Sequence, residues 1–133
     1  MKKIVVLISG SGSNLEAIIE SCAAKKINGR VIQVISNNPD AYGLIRASEF
    51  NIPSTIIDHK KFSSRIDFEN SLEEFLNTLN PDLIVLAGFM RILGSKITSK
   101  FSYKMINLHP SLLPMYPGSV SYTHLTLPTI LRV

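Results

Sequence analysis

The chain has 133 residues, 45% of them hydrophobic and 18% charged, which describes one globular domain with enough apolar material to bury a core. Fourteen Lys and Arg against ten Asp and Glu leave a net charge of +4, but the cations are scattered as pairs (Lys2-Lys3, Lys25-Lys26, Lys60-Lys61), so no nucleic-acid arm is indicated. The single cysteine, Cys22, excludes an internal disulfide and reads as a buried thiol in a reducing compartment; no apolar run approaches the ~20 residues that span a bilayer, and Ile4 to Ile8 is too short for a signal-peptide core, so a cytoplasmic protein with no membrane partner is expected.

Short β-branched runs alternate with amphipathic stretches along the chain, the pattern of an α/β protein whose mainly parallel sheet carries helices on both faces. Ile4 to Ile8 is continuously apolar, as a strand covered on both sides must be, and runs into the glycine-rich segment Ser9 to Asn14. Leu15, Ile18, Ile19 and Cys22 then recur at helical spacing, predicting a helix from about Asn14 to Lys25-Lys26. Val31 to Ser36 is the second predicted strand. Asn37-Asn38-Pro39-Asp40 signals a turn and helix start, with a shorter helix from Ala41 to about Phe50. Thr55 to Ile57 is a weak third strand. From Arg65 to Leu79 the residues Phe68, Leu72, Phe75, Leu76 and Leu79 share one helical face, and Asn80-Pro81 ends the helix. Leu83 to Ala87 is another wholly apolar strand; a short helix from Gly94 to Lys100 and a strand from Met105 to Leu108 complete the set.

A glycine-rich loop between a buried strand and a helix start can offer backbone N–H groups to an anion, aided by the helix dipole. The dinucleotide fingerprint requires a third glycine where Leu15 stands, and no Lys-Ser or Lys-Thr pair follows as a triphosphate loop requires. What fits is a cradle for one phosphate built from Gly12, Ser13 and Asn14, with Gly10 permitting the turn; a purely structural tight turn is the alternative.

In open parallel sheets ligands bind beyond the carboxyl ends of strands, which directs attention to Gly88 to Leu93 and to Asn107 to Pro114. Asn107 and His109 are two residues apart, so in extended geometry both project from one face. An amide beside an imidazole suits acyl-group chemistry, in which an oxyanion needs a donor and the nitrogens need a proton carrier. A histidine satisfied by a backbone carbonyl is the alternative for His109. His59 lacks such a companion and reads as a surface loop residue. No second ligand lies at metal spacing from His109, and neither Ser11 nor Ser13 sits in a nucleophile elbow, so no metal and no serine nucleophile are expected.

Taken together, Ile-Ser-Gly-Ser-Gly-Ser-Asn-Leu at 8–15, Leu-Ala-Gly-Phe-Met-Arg-Ile-Leu at 86–93 and Asn-Leu-His-Pro-Ser-Leu-Leu-Pro at 107–114 resemble the phosphoribosylglycinamide formyltransferase family of purine biosynthesis, within the wider formyltransferase superfamily. The resemblance implies a Rossmann-like fold and formyl transfer from 10-formyltetrahydrofolate, a co-substrate and not a tightly bound cofactor, to the amine of glycinamide ribonucleotide. By that likeness Gly12, Ser13 and Asn14 hold the ribonucleotide phosphate. Arg65, Met90, Arg91, Ile92, Leu93 and Asn107 line the folate site, Asn107 also donates to the oxyanion, and His109 stabilises that charge and moves protons. Arg65 has a rival reading as a surface cation at a helix start. Another acceptor, a formyl-folate hydrolase, or a catalytically dead phosphate- or folate-binding module remain alternatives. The implied partners are small molecules, and homo-oligomerisation is left open.

The likeness runs over residues 1–118, expected to form an incomplete N-terminal α/β domain. Residues 119–133 match nothing expected of the family and read as a foreign or disordered tail. The family's aspartate that orients the histidine is not found in this sequence, so the 133 residues alone are expected to be inactive or nearly so.

Overall fold

A computed structural model describes residues 1–108. Its elements run β1 (Lys2–Ile8), α1 (Ser13–Ala23), β2 (Gly29–Ser36), α2 (Gly43–Glu49), β3 (Ser54–Ile56), a 3₁₀ turn (His59–Lys61), α3 (Arg65–Leu79), β4 (Leu83–Ala87), α4 (Ser95–Lys100) and β5 (Met105–Leu108). The strands form one sheet in the order β3-β2-β1-β4-β5, every neighbouring pair parallel. From β1 the chain winds outward through β2 to β3, then crosses back to β4 and β5. The reversal lies between β1 and β4, where an open α/β sheet leaves a crevice at its carboxyl edge.

The alternation of side chains explains why β1 is apolar from Ile4 to Ile8. Ile4, Val6 and Ile8 pack with Leu15 and Ile19 of α1 and Ala47 of α2, while Val5 and Leu7 pack with Phe68, Leu72 and Leu76 of α3 and Ile97 of α4. A register shift between Ile4 and Val5 opposite Ile32 lets Val31 and Val34, three apart, face the same side. Burying Phe68, Leu72 and Leu76, all at most 2% exposed, contributes about 1.5–3 kcal/mol each and anchors α3. That helix starts where the Ser64 hydroxyl accepts from the Asp67 N–H (3.1 Å) and stops at Asn80, whose φ of 48° precedes Pro81.

Several boundaries differ from the sequence expectation. α1 ends at Ala23, before Lys25-Lys26, because Lys25 adopts a left-handed φ of 63°. β2 begins two residues early, at Gly29, a glycine packed against Ile4. α2 is shorter than expected, and β3 falls one residue earlier. Cys22 is half-buried beside the α1 and α2 core. Among the described residues no helix is long and apolar enough to cross a membrane.

Candidate active site

The loop after β1 is shaped by contact with the start of α2. Gly12 holds a φ of 76°, and a Cβ there would stand 2.6 Å from the Gly43 Cα; a Cβ on Gly43 would collide with Ile8 Cδ1 and come within 3.3 Å of the Gly10 carbonyl oxygen. The two glycines thus meet back to back, and the Gly43 N–H donates to the Gly10 carbonyl at 2.9 Å. Gly10 itself has open space around it and no positive φ, so the expectation that Gly10 permits the turn is corrected: Gly12 does. Arg46 completes the brace, its Nε donating to the Ser11 carbonyl (2.6 Å) and its guanidinium pairing with Glu16 beneath α1 while lying 5.0 Å from the Tyr42 ring centroid. Gly12 is the N-cap of α1 and carries no capping side chain, which leaves the first-turn N–H groups of Ser13 and Asn14 for an outside acceptor.

The segment after β4 forms the next wall of the crevice. Gly88 turns at a φ of 76°, Phe89 is buried in the α3 side of the core, and Met90 and Ile92 are 76% and 83% exposed. Leu93 packs against the core from its edge, and the Arg91 guanidinium lies 6.0 Å from the Phe68 ring centroid. The Glu69 carboxylate accepts the Gly94 N–H at 3.0 and 3.1 Å, and the Arg65 Nε at 2.9 Å. Arg65 also donates to the Ile92 carbonyl at 3.0 Å. In this arrangement Arg65 and Glu69 fasten the loop from α3.

Asn107 is the penultimate residue of β5, in register with Leu86 of β4, and is exposed. Leu86 is in turn in register with Leu7 of β1, so Asn107 shares a side of the sheet with both. It lies two strand spacings from β1, about 10 Å, with the Phe89 to Leu93 segment rising between them. The glycine loop and this amide therefore stand on the same carboxyl edge. His109 lies outside the described residues.

A second group of polar side chains, unforeseen as a set, continues the edge over β2 and β3. Ser9, Asn37, Asn38, Asp58, His59 and Met90 border a cleft of about 270 Å³. His59 is not an unaccompanied loop residue, as its sequence context suggested. Its Nδ1 lies 3.1 Å from the Asn37 amide nitrogen and its ring meets Phe68 edge-on at 6.3 Å. The rule that flagged the ends of β1, β4 and β5 also applies to Asn37 at the end of β2, and would have found it. Gly43, Arg46 and Glu69 gave no such signal, because their roles depend on contacts 25 or more residues away. Among the described residues no three His, Cys, Asp or Glu side chains converge in a way that could hold a metal ion.

A glycine loop with open first-turn N–H groups at a topological switch point, a partly apolar wall beside it and an exposed amide at a nearby strand end make this a doubly wound α/β fold with a candidate site at its carboxyl edge. The chain matches the Formyl transferase family over residues 2–127 and belongs to it. It is 48% identical over 122 residues to the phosphoribosylglycinamide formyltransferase of Haemophilus influenzae, covering 92% of this chain and 58% of the relative. With the Escherichia coli enzyme of the same name it shares 48% identity over 115 residues, or 86% of this chain and 54% of that one. The solved phosphoribosylglycinamide formyltransferase of Coxiella burnetii superposes with a TM-score of 0.80 at 53% identity, covering 86% of this chain and 54% of that structure. The chain spans a little over half the length of the curated relatives it matches.

Proposed function

We propose that this chain provides the nucleotide seat, the folate wall and the oxyanion donor of a phosphoribosylglycinamide formyltransferase. In this reading the first-turn N–H groups at Gly12, Ser13 and Asn14 hold the ribonucleotide phosphate, and the Met90 to Leu93 segment, fastened by Arg65, receives 10-formyltetrahydrofolate. The glycinamide amine attacks the formyl carbon, and the resulting oxyanion accepts a hydrogen bond from the Asn107 amide. The bond from the formyl carbon to the folate nitrogen then breaks, and the proton lost by the amine passes to that nitrogen, with His109 as the carrier. Both partners are small molecules, the folate being consumed as a co-substrate.

The observation that carries the reading is the sheet order: the glycine loop and Asn107 lie on one carboxyl edge about two strand spacings apart, with the hydrophobic segment between them. Isothermal titration of the 133-residue chain with glycinamide ribonucleotide, competed by inorganic phosphate, tests the seat. Binding that phosphate displaces is expected, and a ribonucleotide that binds equally well in saturating phosphate would refute it. A formyl-transfer assay run beside it is expected to show turnover ~10²–10⁴ below that of a full-length relative, the loss associated with an incomplete set of catalytic groups. Turnover within about tenfold of that relative would overturn this second expectation.

A further inference from the structure

We propose that His59, Asn37 and Ser9 are positioning residues that set the Met90 segment through one hydrogen-bonded strap of fixed polarity; its effect on substrate rests on the folate reading above. The strap follows the order of the strands. His59 stands just past β3, Asn37 past β2, Ser9 past β1 and Met90 past β4, and each bonds to its neighbour: the Met90 N–H donates to Ser9 Oγ at 2.8 Å, the Ser9 hydroxyl donates to Asn37 Oδ1, and Asn37 Nδ2 faces His59 Nδ1 at 3.1 Å. Ser9 and Asn37 are 7% and 3% exposed, so a wrongly directed link has little water to repair it.

The polarity is imposed from one end. A backbone N–H can only donate, so Ser9 Oγ accepts from Met90, and its own hydrogen is given to Asn37 Oδ1. The hydrogen fixes the amide with its oxygen toward Ser9 and its NH₂ toward His59. His59 Nδ1 then stands as the acceptor for the Asn37 NH₂. Removing that acceptor would leave the Asn37 NH₂ without its partner at the far end of the strap and loosen the Ser9 and Met90 links in turn. The assembled strap ties the segment that would meet the folate to an imidazole three strands away.

Hydrogen exchange of the Met90 amide in the 133-residue chain tests this directly, with tetrahydrofolate as the ligand probe. In His59→Leu the amide is expected to exchange about tenfold or more faster relative to its intrinsic rate, while His59→Asn, whose side-chain oxygen replaces the Nδ1 acceptor, stays within about threefold of the parent. Equal protection in the parent and His59→Leu would overturn the proposal. If the leucine variant does not fold, His59→Asn decides the matter: an amide that exchanges about tenfold or more faster than in the parent overturns it. Tetrahydrofolate affinity should fall in step with Met90 protection. A Met90 response that leaves it unchanged supports the strap and refutes the folate reading instead.

Discussion

Replacing Gly12 by alanine separates the two things a glycine can do in this loop. Alanine at a φ of 76° incurs the left-handed penalty of roughly 1–2 kcal/mol. Its Cβ would also lie 2.6 Å from the Gly43 Cα, a backbone atom that cannot rotate aside, and overpacking of this kind costs about 1–3 kcal/mol. The expected loss is thus roughly 2–5 kcal/mol, a large share of the stability of a domain this size. Gly10→Ala is the control: nothing lies within 4 Å of its Cβ position, so it should change stability by less than about 1 kcal/mol in either direction. Urea unfolding of the two variants beside the parent reads the difference. With a slope of about 1–3 kcal/mol per molar, Gly12→Ala should lower the midpoint by roughly 0.7–5 M and Gly10→Ala should shift it by less than about half as much. In a folded Gly12→Ala chain, phosphate-competable binding of the ribonucleotide should be lost, because the first-turn N–H groups leave their seat. Equal midpoints for the two variants would show that the back-to-back packing of Gly12 and Gly43 does not constrain the loop.

Glu69→Ala leaves the Gly94 N–H without its acceptor and frees Arg65, and should cost ~1–3 kcal/mol with faster amide exchange across 90–94; Arg65→Ala, which removes a half-exposed partner, should cost less than about 1 kcal/mol. The Lys3 backbone N–H holds the Asp82 carboxyl below the ordinary carboxylate range, aided by the charges of Lys2, Lys3 and Lys104 against an opposing effect of desolvation. Its folded pKa is therefore lower than its unfolded one, so its contribution is present above the ordinary aspartate value and fades as pH falls through the folded one; Asp82→Asn should flatten the urea midpoint against pH in that acid window. Burial raises the Cys22 thiol above its ordinary value, so alkylation by iodoacetamide near neutral pH should be slower than for a free cysteine and should accelerate on unfolding; a rate matching the free amino acid would contradict the packing of α1.

The fold was legible because local chemistry and tertiary environment agree. β4 on every residue and β1 from Ile4 to Ile8 are apolar, which only a doubly covered parallel strand requires, and the Phe68, Leu72, Leu76 spacing leaves one way to lay α3 on the sheet. β5 was read to the residue, since its apolar run sits between a short helix and a motif. Helix ends were less legible: α1 ends where Lys25 turns left-handed, a decision made by backbone bonds from Lys25 and Lys26 back to Cys22 and Ser21 that no composition reveals. Of the site, the glycine loop, the Met90 to Leu93 segment and Asn107 were visible as interruptions of strands. Their braces were not. Gly43, Arg46 and Glu69 sit in ordinary helical stretches, and Asn37 and His59 acquire meaning only when the sheet order brings the ends of β2 and β3 beside that of β1.

The meeting of Gly12 with Gly43 also bears on how this crevice can be altered by exchange of parts. A loop of different sequence, grafted between Ser9 and Asn14, would arrive without the helix start against which the original was moulded. Recipient and insert must therefore be chosen together, with the stretch around Gly43 to Arg46 travelling as a cassette with the turn it supports.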